Sequence, residues 1–441
     1  MPAYINSAQS FNSGHLLKHP KLKLAAALLS VALISACGGE DSTEPVASAP
    51  APVLSPAEKY SALLEIRTLG NPGKVATTKD GNTVFLSVST IVDSATQKEG
   101  NGGIEIFKKT ATGLEKTGFI PVNSIYAHGL TVLPDQSTLA VAIGNAGLAL
   151  IDIQDALKGK ANPVYIDLGK NAGTFDLVST PDSKYIYTAN EYGVAAGAST
   201  PGNVGVIEIS KDARGKANGK LLGQITTGAS TIAGIAITPD GKRVYAVSQI
   251  LLPNNTLKVA GLNNPAITKQ TCVQGDPNKP YPHGILTVID AQKAITSPSP
   301  AAVLNNIAAA CSPVRIAVTA DQKKLWISAR GENKVLSYDI AALETTPDQA
   351  FLSAIDSGGS APVGIHLLDN DQVIAVANSD RFSNTGKAAN LTLLKTSATA
   401  SSPSIKTLQT GLFPRGLTVS PDGKTIYLTN YVSSTLQLIA N

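Results

Sequence analysis

Short apolar runs separated by turn residues recur along this chain, and they recur in register. The last copy is the clearest: GLTVS, then Pro421-Asp422-Gly423-Lys424, then TIYLTN. Proline fixes φ, aspartate favours the turn and glycine takes positive φ without steric cost, so PDGK closes an antiparallel hairpin. Aligning on the hairpin residue (Asp80, Asp135, Asp182, Asp240, Asp321, Asn370 and Asp422) reveals seven copies. They read GKVATTKDGNTVFLSV, HGLTVLPDQSTLAVAI, FDLVSTPDSKYIYTAN, AGIAITPDGKRVYAVS, VRIAVTADQKKLWISA, VGIHLLDNDQVIAVAN and RGLTVSPDGKTIYLTN. A third run follows in each, such as LALIDI or VLSYDI, and a fourth follows in six, such as VYIDLG or FLSAIDSG. The seventh copy ends after TLQLIA. ALLEIRTLG, ahead of the first copy, is the strand it lacks. The pattern predicts an all-β fold over residues 60–441. It is a seven-bladed β-propeller of four-stranded antiparallel blades, the ring closed by an N-terminal strand pairing with the C-terminal blade.

Composition agrees with this reading. Aromatic residues make up 5% and charged residues 15% of the chain, while Gly (38) and Pro (26) are plentiful. The formal charge of +4 is modest and forms no basic stripe, so nothing suggests a nucleic-acid partner.

The first residues have a different organisation. Lys18, Lys21 and Lys23 precede the apolar run LAAALLSVALI and then Ser35-Ala36-Cys37. An apolar run this short, between lysines and small residues, reads as a cleaved signal peptide over residues 1–36. Ile34-Ser35-Ala36-Cys37 resembles the bacterial lipobox, which implies lipidation at Cys37; the alternative is an ordinary signal peptide with a chance cysteine. Residues 37–59, rich in Pro, Ala and Ser, form a tether. Gly38 in place of Asp after the lipobox points to the outer membrane of the cell envelope, with acyl chains as the membrane contact.

The repeat form P-x-G-[IL]-x-[IV]-[ST]-P-D-G-K-x-[IV]-Y-x-x-N resembles the YVTN-repeat, lactonase-like family of seven-bladed β-propellers. IYLTNYVSSTLQLI and YIYTANEYG match it best. In that family the resemblance implies lactone chemistry at the ends of inner strands, with an acid near Y-x-x-N-E and an arginine near S-N-R-G. Here YTANEY supplies Glu191, ISARGENKV supplies Arg330, and His128 in YAHGL is a candidate partner. Two departures stand out. Blade 4 separates the Glu-bearing and Arg-bearing repeats, and Phe175-Asp176 replaces the family's R-H.

The register also places residues around one mouth of the propeller. Long connections between second and third strands occur in blades 1, 3, 4 and 6, all on one face, where innermost strands begin. Lys74, His128, Asp176, Arg315 and Arg415 start innermost strands on that face, and Glu191, Arg330 and Tyr431 end second strands there. Arginine forks suit carboxylates and phosphates, so these positions are expected to bind a small anionic ligand or a protein partner. Alternatively the same residues pair among themselves, Arg315 with Asp176 or Arg330 with Glu191, and plug the channel. Cys272, in the blade-4 excursion Gln249 to His283, and Cys311 share the face. In an exported compartment they form a disulfide or remain two buried free thiols. His283 is expected to cap that excursion and His366 to be packed within a strand.

No histidine pair has metal-ligand spacing and no CxxCH haem site is present, so neither metal nor cofactor is expected. The functional expectation is a monomeric, membrane-anchored, extracytoplasmic propeller that binds rather than catalyses. The alternative is a lactonase-like hydrolase in which His128 or Glu191 is the general acid or base and the arginines hold a carboxylate and the developing oxyanion.

Overall fold

In the computed structural model the described residues are 58–92, 99–169, 172–192, 200–252, 256–269, 271–273, 280–381, 389–399, 402 and 404–441. The signal segment 1–36, Cys37 and the tether up to residue 57 lie outside them. So do the central parts of the long connections in blades 1, 3, 4 and 6.

Among the described residues seven sheets form the blades, each starting from an innermost strand and built outward in chain order except for the outermost strands of blades 4 and 7; a further two-stranded ladder, Ile91–Val92 with Glu99–Gly100, lies in the blade-1 connection. The innermost strands are Asn71–Thr77, Leu130–Val132, Thr174–Ser179, Ala229–Ile237, Pro313–Val318, Pro362–Leu368 and Pro414–Val419. Each touches the innermost strands of both neighbouring blades, and the last touches the first, so the sheets stand in a closed ring. Because blades pack face to face, a second strand is buried on both sides. Thr83–Ser89 and Tyr185–Asn190 are buried along all but their first residue. That explains why second strands read as continuous apolar runs (TVFLSV, YIYTAN) rather than as alternation. Large side chains fill the gaps between blades: Trp326 of blade 5 packs with Ile365, Ile374 and Val376 of blade 6, and Tyr427 of blade 7 with Val75 and Leu86 of blade 1.

The hairpins show why the repeat keeps its polar residues. In five copies a hydroxyl two residues before the aspartate donates to its carboxylate: Thr78 to Asp80, Thr180 to Asp182, Thr238 to Asp240, Thr319 to Asp321 and Ser420 to Asp422, at 2.5–2.7 Å. The same carboxylate accepts the amide two residues on, as from Lys424 to Asp422 at 3.1 Å. These bonds hold the Asp80, Asp321 and Asp422 carboxyls below their ordinary range. The residue after the aspartate needs positive φ. Gly81, Gly241 and Gly423 supply it, and Gln136, Ser183 and Gln322 adopt it with φ of 62°, 62° and 57°.

The asparagine ending a second strand ties that strand to the next. Asn190 donates to Asn203, Asn378 to Asn390 and Asn430 to Thr435 at 2.7–3.1 Å, each bond crossing from the second to the third strand inside the sheet.

Ring closure follows the expected pattern. Ala62–Arg67 pairs antiparallel with Thr435–Ala440, from Ala62 opposite Ile439 to Arg67 opposite Thr435. The preceding residues extend the clasp to blade 6, where Lys59 Nζ lies 2.7 Å from Asp369 and the Tyr60 hydroxyl donates to the same carboxylate at 2.5 Å.

Two features depart from the sequence expectation. Blade 4 gains a short fifth strand, Val259–Ala260, parallel to Val303–Ala308 on its outer edge, so part of the excursion covers the blade's side. Its apolar residues are held there because Ala260 and Ile267 enter the core shared with blade 5. In addition, the third strands of blades 2, 4 and 5 run into helical turns, Ile153–Leu157, Ala291–Thr296 and Ile340–Thr345. Asp152, Asp290 and Asp339 cap them by accepting the amide three residues on.

Deleting Ala62–Arg67 strips blade 7 of its outer strand. The expected loss is several kcal/mol, about 1 per backbone hydrogen bond plus the apolar burial. Urea unfolding should show the midpoint fall, and an unchanged cooperative transition would refute closure by this strand.

Candidate functional site

The site begins with a backbone irregularity repeated around the axis. Near their starts, six innermost strands carry a β-bulge against the second strand. Thr174 faces Asn190 and Asp176 faces Ala189, which leaves Phe175 as the extra residue. In the same way Arg415 is extra in blade 7, Val314 in blade 5 and Ala233 in blade 4. In blade 1 Gly73 and Lys74 together oppose Ser87. Blade 6 has the same irregularity between Pro362 and Ile365. A bulge bends the strand and re-aims its side chains, here where the strands converge. The convergence leaves little room for a Cβ. One at Gly416 would lie 2.5 Å from the Gly73 carbonyl oxygen, one at Gly364 2.5 Å from that of Arg415, and one at Gly234 2.5 Å from that of Val314. Contact between neighbouring backbones is therefore the reason for the repeated G in R-G-L, V-G-I and A-G-I.

At this level the ring encloses a cavity of about 260 Å³, bordered by side chains from the innermost strands of all seven blades. Lys74, His128, Phe175, Asp176, Arg315, His366 and Arg415 supply its chemistry. The phenyl ring of Phe175 is the hub. The guanidinium carbons of Arg315 and Arg415 lie 5.1 and 4.8 Å from its centroid, and the His128 ring lies 4.8 Å away. Arg415 also stands 4.8 Å from the Tyr431 ring, and Arg381 stands 5.4 Å from that of Phe413. Tyr126 stacks on His128 at 5.4 Å. Cation–π contacts of this kind are worth about 0.5–2 kcal/mol each, more when water is excluded.

Hydrogen bonds complete the arrangement. Lys74 Nζ lies 2.9 Å from Asp176 Oδ1, and the Asp176 carboxylate is almost wholly buried. Arg315 Nη1 donates to the carbonyl of Val314 at 2.8 Å and to that of Ala233. Arg330 donates to Gln249 Oε1 at 2.5 Å.

His128, His366, Arg315 and Arg415 keep partial exposure to the cavity while protein surrounds them on all sides. Enclosure weakens their hydration and so disfavours charge. Burial pushes the Arg315 and Arg381 guanidiniums down to about 10 and Arg330 to about 9, and it also lowers Arg415. Neighbouring arginine charges add to the effect at Arg315, Arg330 and Arg381. Burial, then Arg415 and Arg315, hold His128 well below its ordinary value; burial and Lys74 bring His366 to about 4. At neutral pH both imidazoles are uncharged and the arginines remain cationic.

The eight ligand and catalytic candidates from the sequence gather in one region. Lys74, His128, Asp176, Arg315 and Arg415 border the cavity and Tyr431 seats Arg415. Glu191 and Arg330 are buried where second strands end. The Glu191 charge acts on Arg315, Arg381 and Arg415. The ion pair expected between Arg315 and Asp176 is replaced by Lys74 with Asp176, which Gly129 permits: a Cβ there would lie 2.5 Å from Asp176 Oδ1. Cys272 and Cys311 form a disulfide with Cα atoms 5.6 Å apart. His283 bonds the Lys269 carbonyl through its amide and Nδ1, both at 3.0 Å, and so fastens the excursion. His366 does not serve as packing alone, since it borders the cavity. It follows Gly364 by two residues, so strand alternation could have assigned it to the channel side. Phe175 and Arg381 were also missed as site residues. Phe175 occupies the same register position as His128 and Arg415, whereas Arg381 sits in a connection outside the repeat. Among the described residues no group of three or more His, Cys, Asp or Glu side chains is placed to hold a metal ion.

No family model and no curated protein sequence matches the chain. Among solved structures it is similar to hydrazine synthase of Kuenenia stuttgartiensis, with TM-score 0.57 and 17% identity over 85% of this chain and 97% of that one. It is also similar to the β-propeller domain of Cps50 (Swd1) from Myceliophteria thermophila, with TM-score 0.56 and 10% identity over 87% and 99%. At these identities the likeness establishes the β-propeller fold alone.

The depressed His366 value has a measurable consequence. Between pH 6.5 and about 4 the unfolded chain binds a proton that the folded ring refuses, so stability should fall as pH falls through that window. A His366→Gln variant should show a flatter decline in melting temperature from pH 6.5 to 4. Parallel profiles for the two proteins would rule out His366 as the source.

Proposed function

We propose that this protein is a non-catalytic binding propeller that takes a small anion in its axial cavity, with a protein partner on the long-loop face as the other form of the role. The observation that carries the reading is the state of Arg315 and Arg415. Both border one cavity, and neither makes an ion pair with a carboxylate among the described residues. Aromatic rings and backbone carbonyls hold them in place, but such groups cannot neutralise a charge. Two desolvated guanidiniums in one enclosure are unfavourable by themselves and favourable toward an anion that enters it. The cavity volume lies just below the usual range for ligand pockets, which suits a molecule of few heavy atoms. Lipid anchoring at Cys37 in the cell envelope belongs to the same proposal. It rests on the signal and lipobox-like residues, and a Cys37→Ser variant is expected to move from the membrane to the soluble fraction.

Lactone hydrolysis is the second reading. One observation favours it: His128 is neutral and borders the cavity beside two arginines. Against it, buried His128 Nδ1 has no hydrogen-bond partner among the described residues, so none of them orients the ring as the second member of a catalytic pair would.

The two readings separate experimentally. For the binder, millimolar small anions should raise the melting temperature, by the equivalent of about 2.7 kcal/mol at a hundred times Kd. Arg415→Met should abolish most of that shift while changing the stability of the ligand-free protein little, because the cation–π contacts it loses are offset by the desolvated charge it removes. A purely structural arginine plug predicts destabilisation and no anion effect. For the hydrolase, turnover of aldonolactones should be lost in His128→Ala and Glu191→Gln; equal background rates in all three proteins would exclude it.

A further inference from the structure

We infer that the cavity's complement is a dianion, a small molecule carrying two negative charges such as a short dicarboxylate or a compact tetrahedral oxyanion. The inference rests on the anion-binding reading and specifies its ligand. The lining side chains include three cations, Lys74, Arg315 and Arg415, and one carboxylate, Asp176. Lys74 and Asp176 neutralise each other at 2.9 Å, so they leave no net charge for a ligand. Arg315 and Arg415 remain. Both guanidiniums converge on Phe175, from blades 5 and 7; their direct contacts are π faces, a tyrosine and backbone oxygens, and the Asp176 and Glu191 charges reach them without forming an ion pair. Both histidines at the cavity are uncharged at neutral pH, so they do not alter the count. Including Glu191, Arg330 and Arg381 adds two cations and one carboxylate, which leaves the excess positive.

A monoanion in this cavity would still leave one guanidinium without an ion-pair partner, in surroundings where burial weakens its hydration. A dianion neutralises both. Its two charges can take the guanidinium N–H donors of the two arginines that the Val314 and Ala233 carbonyls and Tyr431 do not use. Phe175 thereby holds two like charges near each other without cancelling either.

The test is calorimetric titration of the purified full-length protein at pH 7.5 and constant ionic strength. The probes are succinate, its monomethyl ester (nearly the same size with one charge) and sulfate. Succinate or sulfate should bind at least about tenfold more tightly than the monoester. In Arg315→Met and Arg415→Met this preference should collapse to within about threefold, while weak monoanion binding persists. Tighter binding of succinate than sulfate assigns two separated carboxylates, and the reverse assigns a compact oxyanion; both support the dianion. If the monoester binds as tightly as succinate, or if either variant keeps the full preference, the dianion inference fails while anion binding stands. If none of the three probes binds, the anion-binding reading falls and this inference falls with it.

Discussion

Seven innermost strands start around a single axis, and their mutual approach constrains everything else in this molecule. Where Gly416, Gly364 and Gly234 sit, the next blade's backbone comes so close that a Cβ would have to displace a carbonyl. Glycine is therefore a packing requirement at those points, beyond any turn preference. Bulges at the same level turn the extra residues away from the ladder. Blades that forgo glycine in this register, with Lys74, Asp176 and Arg315, send long or charged side chains into the little space that is left. The site is the set of places where the repeat breaks its own rule.

Those side chains are stabilised in two different ways. Lys74 and Asp176 form an ion pair that is partly buried and electrically closed. The arginines instead lie against Phe175, Tyr431 and Phe413, which supply attraction without a counter-charge. The π faces hold the arginines in place and leave their charge without an ion-pair partner, a local conflict between desolvation and packing.

The blade-4 excursion ties the outside of the ring to this centre. It leaves after Leu251, adds Val259–Ala260 to the blade's edge and returns through Tyr281 and His283. The Cys272–Cys311 bridge joins it to the segment that leads into the strand carrying Arg315. Gly331 lies against Cys311, where a Cβ would come within 2.7 Å of the cysteine's own. Its neighbour Arg330 donates its amide to Ser312 at 3.0 Å. Excursion, disulfide and Arg330 thus form one packed unit beside the cavity.

The chain's pattern was sufficient for the blades, their number, the outer position of Ala62–Arg67 and the face on which the long connections lie. Each of these follows from local rules, strand period and turn chemistry, repeated seven times. The same register also brought Lys74, His128, Asp176, Arg315 and Arg415 to one level, because equal distance from a hairpin means equal height along the axis. Which of them touch was decided by the tertiary structure. Register gives height but not direction, and side chains from blades 1, 2, 5 and 7 all turn toward blade 3. Asp176 accordingly meets Lys74 and not Arg315, and Phe175, which looks like a departure from a family motif in the sequence, becomes the common seat of two arginines. The capping helices after Asp152, Asp290 and Asp339 and the edge strand Val259–Ala260 were hidden for a related reason. Each is a short segment whose conformation is set by the neighbour it packs against, and its own few residues do not encode that neighbour.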